Sequence, residues 1–296
     1  MVLCHLHFIA KVGHEMRQIT LNEIKQVELG ILNAIADFCD NHNIRYYLAF
    51  GSLLGAVRHK GFIPWDDDID IVMPRKDYTR FIKEFFTSEN RYIVKSIETD
   101  PGYWNPFAKV MDTKTYLEDP QVDIPSEYNC INIDVFPMDG LPKSELRRKL
   151  HLKLQEFLIT LYRGSAFKLK KTQKYADSKS KIAGLKETLR NVFKFSAIII
   201  LHYLPTQRLI RLINKNASKY AFDDSEYVDE AVNSAIYRHI KRKDFEPRAQ
   251  YAFEGRQFWG PKYYDKYLKI IYGDYMTPPP EDRRVSHHNL VAFWRD

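Results

Sequence analysis

The chain is poor in cysteine, with three in 296 residues, and Cys4, Cys39 and Cys130 lie far apart. That excludes a disulfide framework and a cysteine zinc site, and it fits a reducing compartment. Long apolar runs are missing too. Val192–Leu204 is 13 residues and is interrupted by Lys194 and His202, too short to span a bilayer. It reads as a buried core helix or, more sharply, as an interfacial one. The first fifteen residues lack a basic leader and a small-residue cleavage site, so no secretory signal is expected there. Met16 opens a cleaner start, and residues 1–15 read as a mis-assigned extension or a frayed tail. Twelve glycines and 14 prolines, without a period, exclude collagen-like and low-complexity chains. There is no GxxxxGK[ST], HExxH, GxSxG or paired CxxC, and no internal repeat.

What is present describes a globular protein: 45% hydrophobic, 14% aromatic and 28% charged residues. The length suits one large domain, or a domain with a substantial insert. The net charge of +7 is unevenly spread. Residues 143–195 carry 15 Lys/Arg against 4 Asp/Glu, which leaves the rest of the chain net acidic.

Thr20-x-x-Glu23 is a capping box, followed by apolar residues at helical spacing from Leu21 to Phe38, so a helix is expected over 21–41. Strands are expected at Tyr46–Phe50, Ile69–Met73, Tyr92–Ile97, Phe107–Met111 and Ile131–Phe136, with a short helix from Ser52 to Arg58 and another after Pro74. These give a mixed α/β first half around one sheet. Beyond Pro142, helical patterns over 144–162, 181–201 and 205–221 surround a polar loop at 168–181. Sheet-like aromatic segments then return at 251–253 and 258–259, with a helix near 261–272. The expected division is a catalytic core over 16–142, a basic helical insert over 143–240 and a segment returning to the core over 241–296.

The chemistry concentrates in Phe50–Met73, FGSLLGAVRHKGFIPWDDDIDIVM. A strand runs into Gly51-Ser52, where glycine permits a tight turn and the helix start with the serine hydroxyl can contact an anion. Read alone, that is an ordinary strand-to-helix turn. Asp68 and Asp70 alternate with Ile69 and Ile71, so on a strand both carboxylates share a face. Such a pair repels itself unless a cation neutralises it, and hard oxygen ligands suit Mg2+ or Mn2+. The bland alternative, an acidic surface loop, conflicts with the apolar flanks. Asp66-x-Asp68-x-Asp70 resembles the opening of a calcium loop, but the sixth position is Ile71 and the twelfth is Asp77. Arg58, His59 and Lys60 lie between the two parts, and Arg58 suits phosphate oxygens best through its planar fork. A third acid, Asp134, sits in an apolar–acid–apolar run that a neighbouring strand can bring beside the first two. Asp139 reads as a turn residue. His287 and His288 read as either pocket or tail residues.

Gly-Ser, then an acid-apolar-acid-apolar strand, then a further strand acid resembles the nucleotidyltransferase superfamily. The longer stretch YYLAFGSLLGAVRHKGFIPWDDDIDIVMPRKDY closely resembles the LicD family, and INIDVFPMDGLP and FWGPKYYDKYLKIIYGDYMTPPP resemble its second and third blocks. The resemblance spans about 45–280, and the basic helical middle adds nothing to it. It implies an α+β fold, a nucleotidyltransferase-like mixed sheet with flanking helices. It also implies transfer of phosphocholine from CDP-choline, or of a related group from another CDP donor, to a teichoic acid or lipopolysaccharide sugar.

Carried onto this sequence, Asp68, Asp70 and Asp134 are the catalytic and metal residues. Gly51, Ser52, Arg58 and Lys109 contact the donor. Trp65 or Trp104 could pack on a base or a choline cation, or simply within the core. The basic middle suits an anionic membrane, a polyanionic glycan acceptor or plain solvation. The expected location is cytoplasmic, with peripheral contact at the inner membrane face. A DxD glycosyltransferase, an inactive scaffold of the same fold and a nucleic-acid binder are the competing readings. The Gly-Ser turn argues against the first, and the intact acids argue against the other two.

Overall fold

The computed structural model describes residues 17–66, 68–87, 91–118, 126–166, 205–234, 238, 240–284 and 291–295. Residues 1–15, the expected loop at 168–181, the expected helix over 181–201, the apolar run Val192–Leu204, and His287 and His288 lie outside them. In chain order the elements are β1 (Gln18–Ile19), α1 (Leu21–His42), β2 (Tyr47–Leu48), α2 (Phe50–Arg58), β3 (Asp70–Pro74), α3 (Arg75–Glu84), β4 (Tyr92–Lys95), β5 (Ala108–Asp112), β6 (Thr115–Glu118) and β7 (Asn132–Leu141). There follow α4 (Glu145–Ala166), α5 (Thr206–Ala217), β8 (Tyr227–Asp229), α6 (Arg242–Phe245), β9 (Arg248–Phe253), β10 (Arg256–Pro261), α7 (Tyr264–Tyr272) and β11 (Val291–Trp294).

Helix α1 follows from its signals. The Thr20 hydroxyl accepts from the Glu23 amide, the Glu23 carboxylate accepts from the Thr20 amide, and Asn43 ends the helix in the left-handed conformation at φ 52°. Its stripe of Ile24, Val27, Ile31, Leu32, Ile35 and Phe38 is buried. Full burial of each such side chain contributes about 1.5–3 kcal/mol.

The helix lies on a mixed sheet of order β2-β3-β7-β5-β4, with β8 paired to the far part of β7. β3 and β7 run parallel, with Asp70 opposite Asp134. β5 lies antiparallel on the other side of β7, with Lys109 opposite Asp134. The mixed α/β architecture matches the expectation. A three-stranded sheet β1-β11-β6 and the β9–β10 hairpin complete it.

Three local readings change. The strand expected over 46–50 is only Tyr47–Leu48, because Phe50 already opens α2 with φ 45°. The left-handed residue is thus Phe50 rather than a glycine. Its ring is held edge-on to Phe136 at 5.8 Å. The strand at 131–136 runs on to Leu141 through Pro137, Asp139 and Gly140. Asp139 is therefore a fully buried strand residue, not a turn residue. The Arg75 guanidinium neutralises it with two hydrogen bonds, Nε to Oδ1 at 2.8 Å and Nη2 to Oδ2 at 2.5 Å. That pairing, with Val135–Leu141 buried, outweighs the turn chemistry of the local sequence.

The later segments pack back onto this sheet. Gln155 of α4 is buried, and its Nε2 donates to the carbonyls of Ile213 and Ala231 at 3.1 and 2.9 Å. Arg45 bonds Asp77, Asp223 and Glu246 at 2.7, 2.9 and 3.1 Å, and the Tyr47 hydroxyl donates to the Glu246 carbonyl at 2.8 Å. Among the described residues, no helix is long and apolar enough to cross a membrane.

Candidate active site

The parallel register of β3 and β7 brings residues distant in sequence to one line across the sheet. Asp70, Asp134 and Lys109 are successive neighbours on β3, β7 and β5. Lys109 Nζ pairs with Asp134 and also donates to Asn132 Oδ1 at 2.8 Å. Sequence reasoning placed Lys109 on a donor phosphate, and in this structure its ammonium is on Asp134. β3 is anchored to the start of α2, since the Asp70 amide donates to Ser52 Oγ at 2.7 Å. The Ser52 hydroxyl is buried, so its first role is to couple helix start and strand.

Gly51 serves a different purpose from the expected turn. A Cβ built there would stand 2.5 Å from Asp66 Oδ2, so the absence of a side chain lets the Asp66 carboxylate lie against the first turn of α2. A carboxylate is favoured at a helix N-terminus. Sequence reasoning weighed Asp66 only as the opening of a calcium loop, not as a residue of this site.

Asp66, Asp68 and Asp134 all act on Asp70. Burial, with the like charges of Asp68, Asp134 and Asp66, holds the Asp70 carboxyl well above the usual carboxylate range, against the opposing pull of Lys109. The cluster therefore carries more negative charge than Lys109 neutralises. Among the described residues, no three acid, histidine or cysteine side chains close on one point as a ready-made cation cage. Mg2+ commonly takes only one or two carboxylates and completes its shell with water and substrate phosphates, so Asp68 and Asp70 suit it as a donor set. The acids also reach α7. Burial first, then Asp70, Asp66 and Asp68, push the Tyr272 hydroxyl far above its ordinary value.

Arg58 closes α2. Its Nη1 donates to the Tyr275 carbonyl at 2.8 Å, and its guanidinium lies 5.9 Å from the centre of the Trp65 ring. Arg284 lies 5.3 Å from that same ring. Two cations already attend Trp65, which removes it as a seat for a choline cation. Trp104 packs against Tyr103 and Tyr128 at 4.7 and 4.8 Å in a separate aromatic cluster. Behind Phe50 lies a polar group that no motif announced. Arg238 Nη1 donates to Asp229 Oδ1 at 2.8 Å, and its guanidinium stands 5.9 Å from the Phe50 ring. Burial raises Asp229 and Glu230 each to about 7.

The parallel strand pair sets Asp70 beside Asp134, and the Asp70 amide is tied to the start of α2. Comparison with known proteins identifies the family. Residues 43–157 match the family model described as "LicD/FKTN/FKRP, nucleotidyltransferase domain". The chain is 30% identical over 287 residues to the lipopolysaccharide cholinephosphotransferase LicD of Haemophilus influenzae, covering 94% of this chain and 99% of that protein. An uncharacterised protein of Rickettsia typhi is 35% identical over 79 residues, 23% of this chain and 26% of its own length. The chain belongs to the LicD family. It is, accordingly, a transferase.

Proposed function

We propose that this protein moves phosphocholine from CDP-choline to a sugar of a cell-surface glycan, with lipopolysaccharide favoured over a teichoic acid precursor as acceptor. The observation that carries the reading is the near full-length relationship to the Haemophilus influenzae enzyme, whose name states choline phosphate transfer and lipopolysaccharide. The line of Asp70, Asp134 and Lys109 beside Ser52 supports it, since it gathers acids, a cation and a hydroxyl at one edge of the sheet.

Asp68 and Asp70 are the residues that would hold Mg2+ or Mn2+, with Asp66 adding to the negative field. The ion would offset the charge of the donor diphosphate and of the departing CMP. In the reaction the acceptor hydroxyl oxygen forms a bond to the phosphorus that carries choline. The bond from that phosphorus to the bridging oxygen breaks, CMP leaves with the electron pair, and the hydroxyl proton passes to a base. We assign that base role to Asp134, whose carboxylate is paired with Lys109. Gly51 and Ser52 set the distance between α2 and β3 at which the donor is received.

The acceptor also bears on the helical part. Helix α4 exposes Leu146, Leu150, Leu154 and Phe157, at 69, 59, 49 and 57% relative accessibility, interleaved with Arg147, Lys149 and Lys153. A basic, apolar-striped helix suits an anionic membrane surface, where a lipid-linked acceptor is found.

Incubation of the protein with labelled CDP-choline, CDP-ribitol or CDP-glycerol, Mg2+ and acceptor tests the reading. CMP and a phosphocholine-bearing glycan from CDP-choline alone is the expected result. Release of CMP from another donor would reassign the headgroup, and release of a nucleoside diphosphate would point to glycosyl transfer.

A further inference from the structure

The cations around Trp65 are not accounted for by the acid cluster. Every hydrogen bond that Arg58 makes among the described residues goes to a neutral acceptor. Nη1 bonds the Tyr275 carbonyl at 2.8 Å, and Nε donates to His59 Nδ1 at 3.4 Å. No carboxylate among the described residues lies within ion-pair distance of it. Arg284 donates from Nε to the Pro279 carbonyl at 2.8 Å. Its acid contact is Glu281 at 3.9 Å, a side chain 91% exposed. Contacts of that length and exposure contribute little. Both guanidiniums are partly buried against one indole, so neither is fully hydrated. Burial and the charge of Arg284 together pull Arg58 below its ordinary value. Two guanidiniums on one indole, whose acid contact is the long, exposed one to Glu281, make a site complementary to an anion.

Chain geometry relates this pair to the acids. Trp65 is the residue immediately before Asp66, whose carboxylate lies at the start of α2. Asp66 thus stands by the N-terminus of α2 and Arg58 closes its C-terminus, with Trp65, the neighbour of Asp66 in the chain, lying against Arg58.

We propose that Arg58 and Arg284, gathered on Trp65, form the phosphate-binding end of the acid site and take the diphosphate of the nucleotide-linked donor. The proposal rests on the donor reading above and adds to it Arg284, a residue outside all the motif blocks. A phosphate on the acceptor glycan offers the same chemistry. The donor is favoured because its diphosphate must be reached by a cation held on the acids and by these arginines at once.

The test uses the full chain with Mg2+. Calorimetry measures the binding of inorganic pyrophosphate and of CDP, and initial rates give KM for CDP-choline and for acceptor. Arg284→Gln is expected to weaken pyrophosphate and CDP about tenfold, the loss of roughly one charge-assisted hydrogen bond, at unchanged melting temperature. Arg284→Lys recovers part of that affinity, and Arg58→Gln with Arg284→Gln together lose more. Arg80→Gln, which removes a surface cation paired with Glu84, leaves binding unchanged.

Equal pyrophosphate affinity in wild type and Arg284→Gln, or no pyrophosphate binding to the wild type, would overturn the proposal. A raised KM for acceptor with an unchanged KM for donor would overturn it too, assigning the pair to the acceptor. Failure of CDP-choline turnover alongside an Arg284-dependent pyrophosphate site would instead reject the donor headgroup and leave the anion site standing.

Discussion

Asp70 is the residue at which chemistry and stability oppose each other most directly. Its carboxyl is buried among three other acids, with Lys109 as the opposing charge. Asp70→Asn should remove that repulsion while keeping the backbone amide that donates to Ser52. We expect CMP release to fall at least ~1000-fold. In metal-free protein at pH 8 the melting temperature should rise by ~2–4 °C for each kcal/mol of repulsion removed. Near-wild-type turnover would sink the role assigned to Asp70.

Asp229 and Glu230 make a separate statement about pH. Each keeps its proton up to about 7 in the folded protein, whereas an unfolded carboxylate releases it near 4. Over that interval the folded state binds more protons than the unfolded one, so stability is fullest below about pH 4 for these groups and is lost as pH rises to about 7. The contribution is on the order of 3 kcal/mol per group. Glu230→Gln should flatten urea-unfolding stability between pH 5 and 7, and an unchanged slope would contradict the burial argument.

At the scale of elements, β7 holds the molecule together. Its first half carries Asp134 to the site. Its second half carries Asp139 to Arg75 of α3, which in turn donates to Asn214 Oδ1 of α5 at 2.9 Å. Arg75→Met leaves a fully buried, unpaired carboxylate and should cost about 3–5 kcal/mol in equilibrium denaturation. The double change Arg75→Met with Asp139→Leu should recover most of it.

β7 also shows why reading the sequence stopped where it did. Phe136-Pro-Met-Asp-Gly has the composition of a turn, and partners distant in sequence, β3, β8 and Arg75 of α3, make it a strand. By contrast α1 was legible almost to the residue, because its capping box and apolar stripe are local signals. Asp70 and Asp134 were legible for the same reason, through strand alternation, whereas Asp68 stands ahead of β3, which begins at Asp70. Asp66, Tyr272 and Arg284 were not, because what singles them out is proximity across loops and helices. Phe50 was missed because a tight turn beside glycine invites the assumption that glycine takes the unusual dihedral, whereas Gly51 is needed for space.

For the whole molecule, the +7 resolves into an acidic centre and a basic helical flank. Helix α4 is bound to the rest through Leu152, Gln155, Leu158, Ile159 and Tyr162, and it turns Leu146, Leu150, Leu154 and Phe157 outward. If that face meets a membrane, vesicles containing anionic lipid should float the wild-type protein, and neutral vesicles should not. Leu150→Asp with Phe157→Asp should abolish flotation while leaving turnover of a water-soluble acceptor fragment intact. Flotation indifferent to these changes would leave the face merely solvated.

The pairing of Asp70 with Asp134 has one more consequence. The two acids meet through the register of a single parallel strand pair, so the loops threaded between them, unlike β5 with its Lys109, are spacers as far as the chemistry is concerned. Surface segments there are free to drift in length and composition over evolutionary time. A one-residue deletion inside β7 ahead of Asp134 is a different matter, since it would turn the carboxylate to the opposite face of the sheet and bring a neighbouring apolar side chain into its place. Selection on this enzyme should therefore tolerate indels in the connecting loops and purge them from the two short strands that measure out the catalytic distance.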